Sequence, residues 1–406
     1  MHTKLHKADR IVLLDALRGL AVLGIFLCNI PLAAEPHAVA TSLVDWPHGM
    51  APASVAVWWV TQVFFQQKFY TLFSMLFGVS ILLVGGEGGE GSRGDGRTAT
   101  LVKRLLSLLA LGVIHGALLW NGDVLTYYAL LGLVVALARS WPPWRLLAIG
   151  VALDLTLSLA TGIRLLADTA HPPTPSGADL AADQAIRAIA SARYAGTFVQ
   201  SLAQNFADYK TVMSHVWLQL PSNWPLTVAA LMLMGMGLFK LGVLSGRSGV
   251  ATYRALAAAG LFALLIGALP WALYVAAPDH PPVLREIARW TQRATAPIVG
   301  LGYAGLLVLA AGSKTWKAVP ALLAPVGQMA FSNYIAQSVV MTVIFYGGRG
   351  PALYDQLDRP ALAGIVAATW IAQILWSRWW MTRFAIGPLE WVWRLAYRGR
   401  TVLKRA

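Results

Sequence analysis

An ionisable side chain inside a long apolar stretch is costly, so each one marks a place to look for chemistry. The densest group in this 406-residue chain is His115-Gly116-Ala117-Leu118-Leu119-Trp120-Asn121-Gly122-Asp123. Of eight histidines, His115 alone falls well inside an apolar run. A carboxylate within two turns can orient its ring and raise its basicity, which readies the histidine as a general base. Asp123 also stands where a helix cap belongs, after an Asn121-Gly122 turn, and a buried histidine is often only a hydrogen-bonded core residue. Asp15 and Arg18 are three apart, share a helix face and can neutralise each other. Asn29 follows on the same run. Lys68, in Gln66-Gln67-Lys68-Phe69-Tyr70, either snorkels to an interface or turns with its glutamines toward an interior cavity. Asn333 and Gln337 are i,i+4 and line one helix face, where they either bond to neighbouring helices or line a substrate path. Only one cysteine is present, so no intrachain disulfide forms. No closely spaced His/carboxylate set is visible, and no metal site is expected.

These residues must be positioned by membrane helices. The chain is 57% hydrophobic and only 12% charged, against roughly 45–50% and about 25% in ordinary globular chains. The apolar residues form continuous runs rather than the alternating ~10-residue segments of a β-barrel. This composition excludes a soluble enzyme, a disordered protein and a nucleic-acid-binding domain. The fold class expected is an all-α polytopic bundle, one membrane domain over 1–406. A span needs about 20 apolar residues. Ten are read, at roughly 11–31, 66–84, 102–120, 123–138, 145–167, 223–244, 253–276, 295–311, 320–346 and 361–382. Residues 55–65 carry Trp58, Trp59, Phe64 and Phe65 and suit an outer-face helix leading into the second span. Most Lys and Arg residues fall in segments that are cytoplasmic if both termini are, which favours both termini inside, and the even span count agrees with it. The formal charge is +14, and basic residues between the apolar runs suit loops facing an anionic inner leaflet. The first run carries Asp15 and Arg18 and lacks a small-residue cleavage site, so it is not read as a signal peptide.

Between the spans, Gly85–Gly96 reads as a flexible inner linker, since it lacks the strand, helix and Lys-Ser/Thr step of a phosphate-binding loop. The outer loop 168–222 is expected to form one or two surface helices that either cap a cavity or lie on the bilayer. The stretch 387–406 mixes Trp391, Trp393 and Tyr397 with basic residues and suits an interfacial inner-leaflet helix, with Glu390 able to pair with Arg394.

Several stretches together resemble the YeiB-like family of membrane proteins. They are Leu14-Asp15-Ala16-Leu17-Arg18-Gly19 through Asn29, Lys68 through Gly78, His115 through Asp123-Val124-Leu125 with Tyr128-Ala129-Leu130, Gly327 through Tyr334 with Gln337-Ser338, and Gly387-Pro388-Leu389-Glu390-Trp391. They stand in family order and span nearly the whole chain. That family is distantly similar to the acyltransferase-3 proteins, which acylate sugars, and to the heparan-α-glucosaminide N-acetyltransferases. Where acyltransferase-3 proteins carry a histidine after the first-span arginine, this chain has Asn29, as the acetyltransferases do. The missing histidine is then supplied by His37 or His115. His115 is favoured, because it belongs to the YeiB-like pattern and lies at membrane depth.

The resemblance implies a membrane-embedded acyltransferase-like protein of a bacterial inner membrane. Acyl-coenzyme A enters from inside near Arg18, a lipid or sugar hydroxyl or an amine approaches from outside, and His115 takes its proton. Asp123 orients His115, Asn29 or Lys68 stabilises the oxyanion, and Gln67, Asn333 and Gln337 contact substrate. The competing expectation is a transporter or flippase using the same polar groups.

Overall fold

The computed structural model describes residues 7–88, 96–170, 177–218, 224–399 and 403. Among them the chain is helical throughout, without strands. Seven segments are long and apolar enough to cross a membrane. These are α1 (Lys7–Ala34), the α3–α4 segment (α3 Pro52–Val60 and α4 Lys68–Gly85), α5 (Arg97–Leu118), α7 (Pro143–Ala170), α11 (Val250–Ala276), α12 (Pro282–Ala311) and α15 (Arg359–Arg383). Shorter apolar helices α6 (Leu125–Val135), α10 (Trp224–Lys240), α13 (Ala318–Gln328) and α14 (Ala330–Phe345) fall where the fourth, sixth and ninth spans were read. Outside these lie α2 (His37–Ala40), α8 (Gly177–Tyr194), α9 (Phe198–Leu218) and α16 (Pro388–Arg398).

The helices α1 and α4 are the most enclosed, whereas α11 turns Leu261, Phe262, Leu265 and Leu269 outward. Leu13, Leu17, Leu72, Met75, Leu231 and Val326 form the central apolar cluster, where α1, α4, α10 and α13 meet. Lipid supplies no hydrophobic drive between helices, so close contact depends on small residues. Gly19 and Gly327 let α1 and α13 touch backbone to backbone, and Gly78 and Gly235 do the same for α4 and α10.

Three boundaries depart from the sequence reading. The eighth span starts at Pro282 rather than 295, because a polar stretch with Arg285, Glu286 and Arg289 extends the helix beyond its apolar half. The ninth breaks at Met329. The entry to the second is a π-helical turn, Thr61–Phe65, followed by Gln67 in the left-handed region at φ 71°.

At the break in the ninth span, Glu390 accepts hydrogen bonds from the Phe331 amide (2.8 Å), the Ser332 amide (3.1 Å) and the Ser332 hydroxyl. Its carboxylate therefore caps the N-terminus of α14, where the helix dipole favours a negative charge, instead of pairing with Arg394. The basic helix α16 is also anchored on protein. Trp393 Nε1 donates to Ser107 Oγ (2.9 Å), and the Arg104 guanidinium lies 4.7 Å from the Trp393 ring centroid. Most of the Gly-rich stretch 85–96 lies outside the described residues.

Candidate functional site

The last turn of α5 ends with the amides of Leu119 and Trp120 both bonded to the His115 carbonyl, at 2.8 and 3.0 Å. This places the His115 ring just below the Asn121-Gly122-Asp123 turn. Asp123 caps α6, accepting from the amides of Leu125 (3.1 Å) and Thr126 (2.9 Å). The same carboxylate lies 2.9 Å from His115 Nδ1. One carboxylate thus makes both the helix-cap bonds and the contact to the imidazole. On its other side, His115 Nε2 lies 2.9 Å from Ser338 Oγ in α14.

The proton positions follow from the partners. An ionised Asp123 only accepts, so Nδ1 carries the hydrogen and Nε2 presents its lone pair to the Ser338 hydroxyl. The Ser338 hydroxyl has a second acceptor, the Tyr334 carbonyl, at a longer 3.4 Å. A nucleophile bonded to a base, with that base oriented by a third group, is the arrangement that activates serine hydroxyls. His115 is 4% exposed, Asp123 2% and Ser338 0%. In the sequence reading Ser338 carried no role. Its signal was its place in the Gly327–Ser338 stretch that resembles the family, and its partner lies 223 positions away.

Helices α8 and α9 pack against this site. Asn205 of α9 donates to the carbonyls of Gly116 (2.9 Å) and Ala117 (3.1 Å) and accepts from the Asn121 amide (2.8 Å). Tyr194 of α8 accepts from Asn121 Nδ2 at 2.8 Å. The Tyr209 ring packs over Gly116, where a side chain would collide with it.

The other expected site residues are spread among different neighbours. Arg18 pairs with Asp15 at 2.8 Å, its side chain 24% exposed. Lys68 is 2% exposed and does not snorkel; its Nζ donates to the Gln62 carbonyl at 3.0 Å. Gln67 holds a buried Oε1 without a hydrogen-bond partner. Asn29 is half-buried. Asn333 donates to Ser377 Oγ (3.0 Å) and the Val326 carbonyl (3.1 Å). Gln337 donates to Gln373 Oε1 (3.0 Å) and the Val22 carbonyl (3.2 Å). These two amides tie α14 to α1, α13 and α15. Among the described residues, no hydrogen bond joins Arg18, Lys68, Asn29, Asn333 or Gln337 to the His115 group. His37 is exposed in α2 and makes no hydrogen bond to the His115 group among the described residues; its charged neighbour is Asp208.

Two further features lie outside the sequence reading. An open crevice of about 740 Å³ is lined by Arg97, Lys103, Tyr397 and Arg398 at the ends of α4, α5 and α16. Glu35, His48 and Asp355 lie together at the opposite end of the bundle, so the expectation that no His/carboxylate set forms does not hold in three dimensions.

A family model described as "Protein of unknown function (DUF418)" matches residues 238–400. The chain is 30% identical over 399 residues to "Uncharacterized protein YeiB" of Escherichia coli, covering 95% of this chain and 96% of that protein. It is also 30% identical over 396 residues to "Uncharacterized protein YxaH" of Bacillus subtilis, covering 96% and 94%. No solved structure matches the chain. End-to-end similarity to YeiB, with the DUF418 match in its second half, places the chain in the YeiB-like DUF418 family of helical membrane proteins.

Proposed function

We propose that the chain is an acyltransferase of the bacterial inner membrane that carries the acyl group on Ser338. The observation behind this reading is the Asp123–His115–Ser338 relay, with both imidazole nitrogens bonded at 2.9 Å. The Ser338 hydroxyl attacks the carbonyl carbon of an acyl thioester while its proton passes to His115 Nε2. The carbon–sulfur bond breaks, and the leaving thiolate takes that proton. An acceptor hydroxyl or amine then gives its proton to Nε2 and attacks the serine ester, and Ser338 regains its hydrogen. Asp123 holds the ring in the required tautomer and offsets the imidazolium charge.

The basic crevice supports acyl-coenzyme A as donor. Arg97, Lys103 and Arg398 suit phosphate groups, and about 740 Å³ lies within the roughly 300–1,000 Å³ usual for ligand sites. On the orientation read from the sequence, this crevice faces the cytoplasm. Arg18, paired with Asp15, lines no part of it. A lipid or sugar acceptor reaches Ser338 only when the α8–α9 cap shifts. The test is release of coenzyme A from acetyl-coenzyme A by purified protein. The expected result is a fall of about 10²–10⁴-fold in His115→Ala; equal release by that variant would end the proposal.

A transporter reading rests on a different observation. The α3–α4 segment is interrupted at residues 61–67, where the Gln62 carbonyl accepts from both Lys68 Nζ and Gln292 Nε2. Broken helices with polar groups at the break are how many transporters build substrate and ion sites. The break borders a small cavity of about 30 Å³ lined by Cys28, Gln62, Gln66 and Arg359. Substrate flux in proteoliposomes without an acyl donor, lost in Lys68→Met, would favour transport.

A further inference from the structure

We propose that Glu35, His48 and Asp355 form a binding site for one first-row divalent cation, with zinc the best match, at the outer end of the bundle. The three residues come from separate segments: the residue after α1, the first outer loop and the loop between α14 and α15. One potential ligand atom from each lies within 4.8 Å of the other two. Two carboxylates and an imidazole are a donor set that zinc accepts, with coordination positions left over for water.

The argument turns on Glu35. It is 1% exposed, and its Oε1 lies 3.0 Å from His48 Nε2. Its Oε2 is buried and has no hydrogen-bond partner. A carboxylate oxygen withdrawn from water needs a donor or a cation. The group facing it is Asp355, another carboxyl, which can hydrogen-bond to it only while one of the two holds a proton. Asp355 Oδ2 accepts from Ser191 Oγ at 3.2 Å, and its amide donates to the Ala34 carbonyl at 2.8 Å. Both contacts fix Asp355 beside Glu35.

The nearest built-in cation is committed elsewhere. The Arg359 guanidinium donates to the Ser42 carbonyl and lies 4.1 Å from the Trp46 ring centroid. A divalent ion would neutralise both carboxylates and satisfy the orphaned oxygen. His48 would turn the Nε2 lone pair to the metal, with its hydrogen on Nδ1. The ion would clasp the end of α1 to two outer loops, independently of any reaction at His115.

The test is zinc titration of purified, tag-free protein in detergent after chelator treatment, read against a chromophoric competitor, with elemental analysis for stoichiometry. One equivalent is expected in the wild type. Single variants Glu35→Gln, His48→Ala and Asp355→Asn should each weaken it by at least the roughly 10–100-fold that even outer-shell substitutions cost. His280→Ala, in another outer loop, should bind as the wild type does. His48 is partly exposed, so His48→Ala keeps the test informative if the buried Glu35 variant fails to fold. Wild-type uptake no greater than that of the triple variant, or a His48→Ala affinity equal to wild type, would overturn the site. The facing carboxyls would then share a proton instead.

Discussion

The substitution Asp123→Asn separates the two duties of one carboxylate. Asp123 accepts three hydrogen bonds: His115 Nδ1 and the Leu125 amide on Oδ1, and the Thr126 amide on Oδ2. An asparagine has one accepting oxygen. If that oxygen stays on the His115 side, the Thr126 amide faces an NH₂ group and one capping bond is lost, costing about 1 kcal/mol. If the amide is reversed, its NH₂ donates to His115 Nδ1 and drives the ring hydrogen to Nε2. The ring then presents a hydrogen to Ser338 and cannot take the serine proton. Both arrangements also remove the charge that offsets an imidazolium. Stability should therefore fall by only about 1–2 kcal/mol, while the rate falls on the order of 10²–10⁴-fold. The assay is coenzyme A release normalised to the folded fraction from size-exclusion chromatography. A rate loss no larger than the loss of folded protein would refute the reasoning and leave Asp123 as a helix cap.

Further substitutions probe the framework around the site. Gly327→Ala would drive a methyl group into the Asp15 carbonyl and cost about 1–3 kcal/mol. Gly364→Ala, which meets open space in α15, should be neutral or slightly stabilising by comparison in a thermal unfolding series. Glu390→Ala removes the carboxylate that caps α14 and should lower stability by about 0.5–2 kcal/mol in the same series. Asp358 gives a pH test. Burial alone would raise its carboxyl, but bonds from Ser54, the Arg359 amide and Trp46 outweigh that and hold it below its ordinary value. Its ionised form therefore stabilises the fold above the ordinary carboxylate value, and the contribution fades as pH falls through the lowered one. The stability gap between wild type and Asp358→Asn should be widest near neutrality and close on acidification; a gap constant with pH would contradict this.

The helical class was legible because runs such as Ala255–Ala277 have no alternative in a lipid-soluble chain. Boundaries were less so, since Pro282–Arg293 is polar enough to read as loop while remaining helical. The His115–Asp123 pair could be read because both residues flank one tight turn. Ser338 could not be assigned, because the contact that gives it meaning depends on how α14 docks against α5. The same holds for Glu35, His48 and Asp355, which only tertiary packing brings together. Arg18 and the Asn333–Gln337 pair stood out as polar groups inside apolar runs and Lys68 was left between an interface and the interior, because spacing along one helix says nothing about which neighbour each will face. Glu390 shows the limit well: an i,i+4 partner was available at Arg394, yet the exposed amides at the start of α14 offered a carboxylate more.

The most direct test of the Asp123–His115–Ser338 centre is the mass of the Ser338-containing peptide after incubation with acetyl-coenzyme A in the absence of an acceptor. The account predicts one acetyl group on that peptide in the wild type and none in His115→Ala or Ser338→Ala. An unmodified wild-type peptide, or acetylation that persists in His115→Ala, would contradict it.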